Sequence, residues 1–295
     1  VEALAEELTH LGLTAKAGKG GVRLTGGLAE AYQAAYQSRL ASRLLLPLVT
    51  VEAGTPDELH KALTQFNWGE HIKAQTSFAI EAKTQGENRH SHFVALRVKD
   101  ALRDFFNAKK TRPPQPAPED PEITFHLYWI GDQAELSLDF TGSLFMRGYR
   151  PPDAQAPLKE NLAALLLYKC RWPELAAQGK PLVDPFCGSG TICLEGAMMA
   201  AQIPAGSLKR QWGFTHWPGH DPALWAKVKA EADARRVPLA VKIWGRDESQ
   251  RAIEQAIAAA RRLGLEKELD FDQAMAERLD LPRQPGLILT NPPYG

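Results

Sequence analysis

The sequence predicts an α/β chain whose later part is a parallel sheet, incomplete at its end, and whose earlier part is a smaller α+β region. Three observations carry that reading. From position 181 onward, short apolar runs alternate with helix-period stretches, the rhythm of strand–helix–strand units. Two of those runs end in turns of unusual composition, at 185–190 and 291–295. Before position 146 the strands gather differently, around long helices and a stiff loop, Pro113-Pro114-Gln115-Pro116-Ala117-Pro118. At 295 residues there is room for about two domains. Hydrophobic content of 44% with 24% charged residues fits a globular chain.

Each element has a local reason. Val1, Leu4, Ala5, Leu8 and Leu11 recur at helical spacing, and Gly12 stops that helix. A glycine-rich strand pair is expected over 19–27, a helix over 28–46 and a strand over 44–51. Thr55-Pro56-Asp57-Glu58 opens a helix with the Thr–x–x–Glu capping spacing and proline at its first position. Residues 77–82 alternate as a half-buried strand. Between 92 and 110, Val94, Val98, Ala101, Leu102 and Phe105 form one buried stripe of a helix. Strands over 123–128 and 134–140 flank Gly131-Asp132. The stretch 146–157 has three prolines and little periodicity, and reads as a domain junction. A helix resumes over 161–170. Strands then follow at 181–184, 240–245, 268–271 and 287–290, with helices at 191–200, 224–234 and 249–263, the last capped by Gly264.

The two turns carry the chemistry. Pro181-Leu182-Val183-Asp184 runs into Pro185-Phe186-Cys187-Gly188-Ser189-Gly190. Gly188 and Gly190 permit positive φ and close approach of backbone to a ligand. Thr191 is placed to cap the next helix, whose start offers N–H groups and a positive dipole end to an anion. No Lys-Ser or Lys-Thr follows the glycines, so a Walker loop is excluded, and Cys193 replaces a glycine of the dinucleotide fingerprint. Strand–Asp–Gly-x-Gly–helix is a nucleoside-binding arrangement at the carboxyl edge of a parallel sheet. In the second turn, Asn291-Pro292-Pro293-Tyr294, two prolines stiffen the backbone and remove two donors. An amide, a rigid carbonyl and an aromatic ring meet there, a device for gripping a flat polar amine. Alone, it also reads as an ordinary strand exit.

Together, Asp184-Pro185-Phe186-Cys187-Gly188-Ser189-Gly190-Thr191 and the downstream Asn291-Pro292-Pro293-Tyr294 resemble the class I S-adenosylmethionine-dependent amino-methyltransferases. Further stretches extend the likeness: Ser38-Arg39-Leu40-Ala41-Ser42-Arg43, Leu144-Phe145-Met146-Arg147-Gly148-Tyr149-Arg150, Pro157-Leu158-Lys159-Glu160-Asn161-Leu162-Ala163-Ala164 and Gln211-Trp212-Gly213-Phe214. These resemble the bacterial bifunctional large-subunit ribosomal RNA guanine methyltransferases of K/L type, over their amino-terminal L-type half. The resemblance implies a Rossmann-like class I methyltransferase fold preceded by a ferredoxin-like and THUMP RNA-binding region. Its implied divisions are a partial ferredoxin-like region at 1–30, a THUMP domain at 31–145, a linker at 146–160 and a methyltransferase domain at 161–295. It further implies S-adenosyl-L-methionine as cofactor, guanine N2 in 23S ribosomal RNA as the methyl acceptor, and a cytoplasmic location. A THUMP-type tRNA guanine-N2 methyltransferase, or an RNA-binding fragment without activity, stays open. The chain starts on Val1 inside a helical pattern and stops where this family carries further strands, so truncation at both ends is expected.

On that resemblance, Asn291 Oδ1 and the Pro292 carbonyl accept the amine N–H bonds. They favour a pyramidal nitrogen with its lone pair aimed at the sulfonium methyl, while Tyr294 stacks on the flipped base. Positioning and electrostatics suffice, and no metal or covalent intermediate is required. The expected cofactor-binding set is Asp184, Phe186, Gly188, Gly190, Thr191, Asp247 and Asp272. Asp184 orders the glycine loop or meets the methionyl amine. Asp247 accepts the ribose hydroxyls, or caps the helix after it, or both. Met275 stands where the family places an acid for the adenine amine; Asp272 substitutes by register shift, or backbone alone makes the contact. Lys159-Glu160-Asn161 either touches the cofactor or simply starts a capped helix. Trp212, Phe214, His216 and Trp217 interrupt the strand–helix rhythm. A hydrophobic plug against the catalytic core is favoured there over a platform for an unstacked base.

Net charge is zero, so RNA affinity must come from a local patch. From Arg89 to Arg112 there are seven Lys or Arg against two Asp or Glu, and Arg97, Arg103, Lys109, Lys110 and Arg112 are candidate phosphate contacts, with a solvated helix face as the alternative. Cys170, Cys187 and Cys193 are odd in number and lack paired ligand spacing, which argues against a disulfide framework or zinc site and for a reducing compartment. No run of about 18 apolar residues offers a membrane-spanning helix.

Overall fold

The computed structural model describes residues 1–85, 90–150, 158–278 and 282–292. Two compact units emerge, one formed by Val1–Ser42, Ser143–Arg210 and Ala223–Gly295, the other by Arg43–Gly142 and Gln211–Pro222. In chain order, α1 (Glu2–His10), β1 (Thr14–Gly18), β2 (Gly21–Thr25) and α2 (Leu28–Gln37) open the first unit. The second contains β3 (Leu45–Glu52), α3 (Pro56–Thr64), β4 (Ser77–Gln85), α4 (Ser91–Ala108), β5 (Gln115–Pro116), β6 (Ile123–Ile130) and β7 (Gln133–Asp139). The chain continues through α5 (Glu160–Lys169), α6 (Trp172–Ala177), β8 (Leu182–Asp184), α7 (Thr191–Ala200), α8 (Pro222–Asp233), β9 (Ile243–Asp247), α9 (Gln250–Leu263), β10 (Leu269–Gln273) and β11 (Leu287–Ile288).

In the second unit the sheet runs β3-β7-β6-β4-β5, antiparallel from β3 to β6 and parallel from β6 to β5. Ile123, Phe125, Leu127 and Trp129 of β6 are buried, as period-two alternation requires. The stripe Val94, Val98, Ala101, Leu102 and Phe105 of α4 is buried as its spacing predicts. Thr55 caps α3 by accepting the Glu58 N–H, but Glu58 turns back to the Gly54 N–H rather than to that of Thr55.

Residues 211–222 join this second unit, which corrects the expected plug against the catalytic core. Phe214 donates its N–H to the Phe140 carbonyl (3.0 Å), the two rings lie 4.8 Å apart, and Trp212 stacks on Phe214. Gly213 presses so closely on the Asp139 carbonyl that a Cβ there would come within 2.1 Å of it. The aromatic insertion therefore fills the core of the unit that holds the α3–α4 layer.

In the first unit a hairpin follows α1. β1 starts at Thr14, ahead of the glycine-rich run, because that run supplies the turn: Lys19-Gly20 joins the strands and Gly20 has φ +82°. α2 stops at Gln37 rather than near Leu46. The buried Glu7 carboxylate takes the Ser38 hydroxyl (2.7 Å) and the N–H groups of Arg39 (2.7 Å) and Leu40 (3.2 Å), drawing the chain out of the helix.

Four parallel strands form the second sheet of this unit, in the order β10-β9-β8-β11. Leu182, Ile243 and Leu269 share a core with Ile192 and Ala197 of α7 and Ile253 and Ala260 of α9. Glu195 of α7 is wholly buried and meets Arg147 Nε (3.3 Å) and the Tyr149 hydroxyl (3.0 Å). Arg147 also donates to the carbonyls of Leu144 and Arg39, each at 2.6 Å. Two of the family-like stretches thus converge on one helix. Removing one member of a buried pair strands the other charge in a medium that solvates it poorly. Arg147→Ala is expected to lower stability by about 3–5 kcal/mol in denaturant titration, and a loss below about 1 kcal/mol, typical of exposed pairs, would contradict the role given to this network.

Candidate active site

Chain order reverses at β8. From there β9 and β10 step away on one side, and β11 pairs on the other. In open parallel sheets, ligands bind beyond the carboxyl ends of the strands at such a reversal. Leu287 lies opposite Leu182 and Ile288 opposite Val183, and the Leu289 N–H donates to the Val183 carbonyl (3.0 Å). The glycine turn after β8 and the Asn291-Pro292 exit of β11 therefore open at the same crevice.

The glycine turn is held from below. Asp184 is buried at the end of β8 and its Oδ1 accepts the Phe186 N–H at 3.2 Å. Burial pushes its carboxyl up to about 6, Asp247 adds to the rise, and the Phe186 amide opposes it. Next door, the Cys187 N–H donates to the Arg246 carbonyl (2.8 Å) and the Gly188 N–H to Asp247 Oδ2 (2.9 Å), fastening the turn to β9. Gly188 has φ +52° and Gly190 φ +81°, both in the left-handed region. A Cβ on Gly190 would lie 3.0 Å from both Ala256 Cβ and the Phe271 ring, whereas one on Gly188 would meet nothing within 4 Å. Gly190, not Thr191, is the N-cap of α7; Thr191 is the first helical residue, buried, with Arg150 Nη2 3.4 Å from its hydroxyl. The helix start has no side-chain cap, so its first amides retain hydrogen-bonding capacity and the positive end of the dipole. Phe186 is exposed on the turn.

Asp247 serves two backbones at once. Its Oδ1 accepts the Ser249 N–H (2.9 Å), while Ser249 itself caps α9 through Ala252 N–H. A carboxylate has about four acceptor positions, so this use leaves capacity for further donors. Asp272 pairs in register with Arg246, is exposed, and its Oδ1 accepts the Gln273 N–H (2.9 Å). Gln273 pairs with Asp247 and so shares its face; its Nε2 donates to the Glu248 carbonyl (2.8 Å). Sequence reasoning passed over Gln273, because its place depends on the β9–β10 register. Met275 is exposed, and the Ala274 N–H before it donates to the Asp247 carbonyl (3.1 Å). Asn291 is half-buried and Pro292 exposed, while Tyr294 lies outside the described residues. Burial raises the thiols of Cys187 and Cys193 far above the usual range, which leaves neither as a nucleophile.

The α4 cations separate into two kinds. Arg97 pairs with Asp57, and Arg103 reaches Asp100 (2.8 Å) and Asp104 (3.8 Å). Lys109 lies over the Phe105 ring, 4.3 Å from its centroid. Lys110 and Arg112 are exposed just beyond the helix end. Among the described residues, no group of three His, Cys, Asp or Glu could hold a metal, and no helix is long and apolar enough to cross a membrane.

Comparison with known proteins agrees with this geometry. Residues 147–295 match the family described as RMKL-like, methyltransferase domain, residues 2–45 the RlmL ferredoxin-like domain, and residues 53–139 the THUMP domain. A ribosomal RNA large subunit methyltransferase K/L of Allochromatium vinosum is 41% identical over 300 residues, covering 99% of this chain and 41% of that protein. The protein of the same name from Syntrophotalea carbinolica is 40% identical over 305 residues, covering 99% and 42%. The chain thus spans about two-fifths of the length of these curated relatives. Among solved structures, SMU.472 in complex with SAH superposes with a TM-score of 0.87 at 30% identity, over 100% of this chain and 78% of that one.

The Asp184 environment has a measurable pH signature. A carboxyl raised on folding holds its proton more tightly in the folded state. Its contribution to stability is full below 3.8, the ordinary value, and is lost as pH rises through about 6. A rise of that size corresponds to about 3 kcal/mol. Over that window, wild type is expected to lose stability relative to Asp184→Asn; a difference that does not change with pH would count against the buried carboxyl.

Proposed function

The chain belongs to the RMKL-like methyltransferase-domain family, and from that premise we propose that it transfers a methyl group from S-adenosyl-L-methionine to the exocyclic N2 of a guanine in large-subunit ribosomal RNA. The observation that carries the reading is the common crevice at the strand-order reversal, where the glycine turn and the Asn291-Pro292 exit sit on adjacent strands. The large-subunit substrate rests on the names of the relatives. A cytoplasmic location follows from that substrate.

The crevice residues suit the cofactor. Open space stands where a Cβ of Gly188 would be, which admits a ligand close to backbone. The uncapped start of α7 receives the methionyl carboxylate. Asp247 offers its remaining acceptor positions to the ribose hydroxyls, and Gln273, on the same face, offers its amide oxygen to the adenine amine in place of Met275. Asp272 is the second candidate for that contact. Phe186 covers the turn from the solvent side. When bound, the cofactor supplies an electrophilic sulfonium methyl.

A guanine amine is a weak nucleophile because its lone pair is delocalised into the ring. Asn291 Oδ1 and the Pro292 carbonyl accept its N–H bonds, hold the nitrogen pyramidal and stabilise the positive charge that develops on it. Tyr294 stacks on the extruded base. The proton leaves to solvent after transfer, so no strong base is needed. RNA is held by the THUMP region, with Lys109, Lys110 and Arg112 nearest the end of α4 as its phosphate contacts, and with Arg97 and Arg103 able to contribute only by exchanging their acidic partners.

Incubation with methyl-labelled cofactor and a mixture of ribosomal RNA and tRNA from a strain lacking the modification tests the reading. Label is expected in guanine N2 of the large-subunit RNA; label confined to tRNA would move the substrate to that class. Asn291→Ala is expected to lower kcat by about 100-fold or more with cofactor affinity little changed, whereas Asp247→Ala weakens cofactor binding first. Calorimetry that finds lost cofactor binding as the main defect of Asn291→Ala overturns its assignment.

A further inference from the structure

We infer that the β1–β2 hairpin is an RNA phosphate-contact element, separate from α4; the inference rests on the RNA reading proposed above. The hairpin alternates in burial except at Ala17, which is exposed beside the turn. Ala15, Val22 and Leu24 are half-buried on its inner face, while Thr14, Lys16, Gly18, Gly21, Arg23 and Thr25 are exposed on the other. Residues 14–25, Thr-Ala-Lys-Ala-Gly-Lys-Gly-Gly-Val-Arg-Leu-Thr, hold three cations and no acid. The pairing puts Lys16 directly opposite Arg23, and Lys19 stands in the connecting turn.

Two like charges directly opposite each other on a strand pair repel. Neighbouring acids usually relieve such a pair, and α4 shows how: Asp57 answers Arg97, and Asp100 and Asp104 answer Arg103. In the hairpin, no side chain of Lys16, Lys19 or Arg23 has an ion-pair or hydrogen-bond partner among the described residues. The tip is also bare. A Cβ built on Gly20 or Gly21 would meet nothing within 4 Å, so a bulky chain can approach the turn backbone. Adjacent, unanswered cations on a two-stranded ribbon with an uncluttered tip match the charge of a sugar–phosphate backbone, whose binding releases counterions and depends steeply on salt. A protein of zero net charge gains such affinity only from a local surface of this kind.

The test is a salt titration of binding to a large-subunit ribosomal RNA fragment, using the whole chain and fluorescence anisotropy. Lys16→Ala/Arg23→Ala is expected to weaken binding and to flatten the slope of log K against log salt by about 1.4–1.8, two phosphate contacts' worth. Cofactor affinity and thermal midpoint should stay unchanged or the midpoint rise, since the substitution removes a repulsive pair. Lys16→Arg/Arg23→Lys should retain the wild-type slope. If wild type binds RNA and the alanine variant keeps both affinity and slope, the hairpin is merely a solvated surface and the inference fails, with the proposed function untouched. If wild type shows no RNA binding, the functional reading fails and takes the hairpin with it.

Discussion

Parallel pairing of β11 with β8 is the contact on which the site depends. It is short, joining Leu287 to Leu182 and Ile288 to Val183, yet it decides where Asn291 emerges. β9 and β10 already occupy the other side of β8, so β11 could have added either at the free edge of β8 or beyond β10. At the outer position it would stand three strand spacings from the glycine turn, about 14 Å, too far for a one-carbon group to cross. On the β8 edge the two strand exits are neighbours, as the proposed methyl transfer requires.

Two acidic side chains of this unit, Asp247 and Glu195, each serve more than one partner. Asp247 holds the Gly188 amide and the Ser249 amide, so the residue proposed to meet the ribose also shapes the turn beside it. Glu195 lies in the helix that starts at that turn, and it gathers Arg147 and Tyr149 from a distant stretch of chain. A helix whose start is proposed to present amides to the cofactor is thereby anchored at its middle by buried charge. Such coupling explains why the family-like stretches at 38–43 and 144–150 lie far in sequence from the motifs that carry the chemistry, yet bear on the same helix.

Local features were legible in the sequence. The stripe on α4, the Gly264 cap with φ +73°, the order of the parallel strands and the glycine turn after β8 all follow from residue spacing, and the structure has them. Features set by distant partners were not. Glu7 ends α2 nine residues early by binding the backbone at 38–40. Asp57, forty residues from Arg97 in sequence, neutralises a cation that reads as free when only its own helix is considered. The destination of Trp212 and Phe214 depends on which sheet offers Phe140. Even the α7 cap, a local matter, turns on the left-handed φ of Gly190, which composition permits but does not require.

The central claim is that the turn at Gly188 and the exit at Asn291 share one cavity. It is tested most directly by a crystal structure of the protein with S-adenosyl-L-homocysteine bound. The claim predicts the adenosine beside Asp247, the carboxylate at the start of α7, and the sulfur facing Asn291 across the β8–β11 crevice. A ligand seated elsewhere, or a sulfur turned away from Asn291 with protein packed between them, would contradict it.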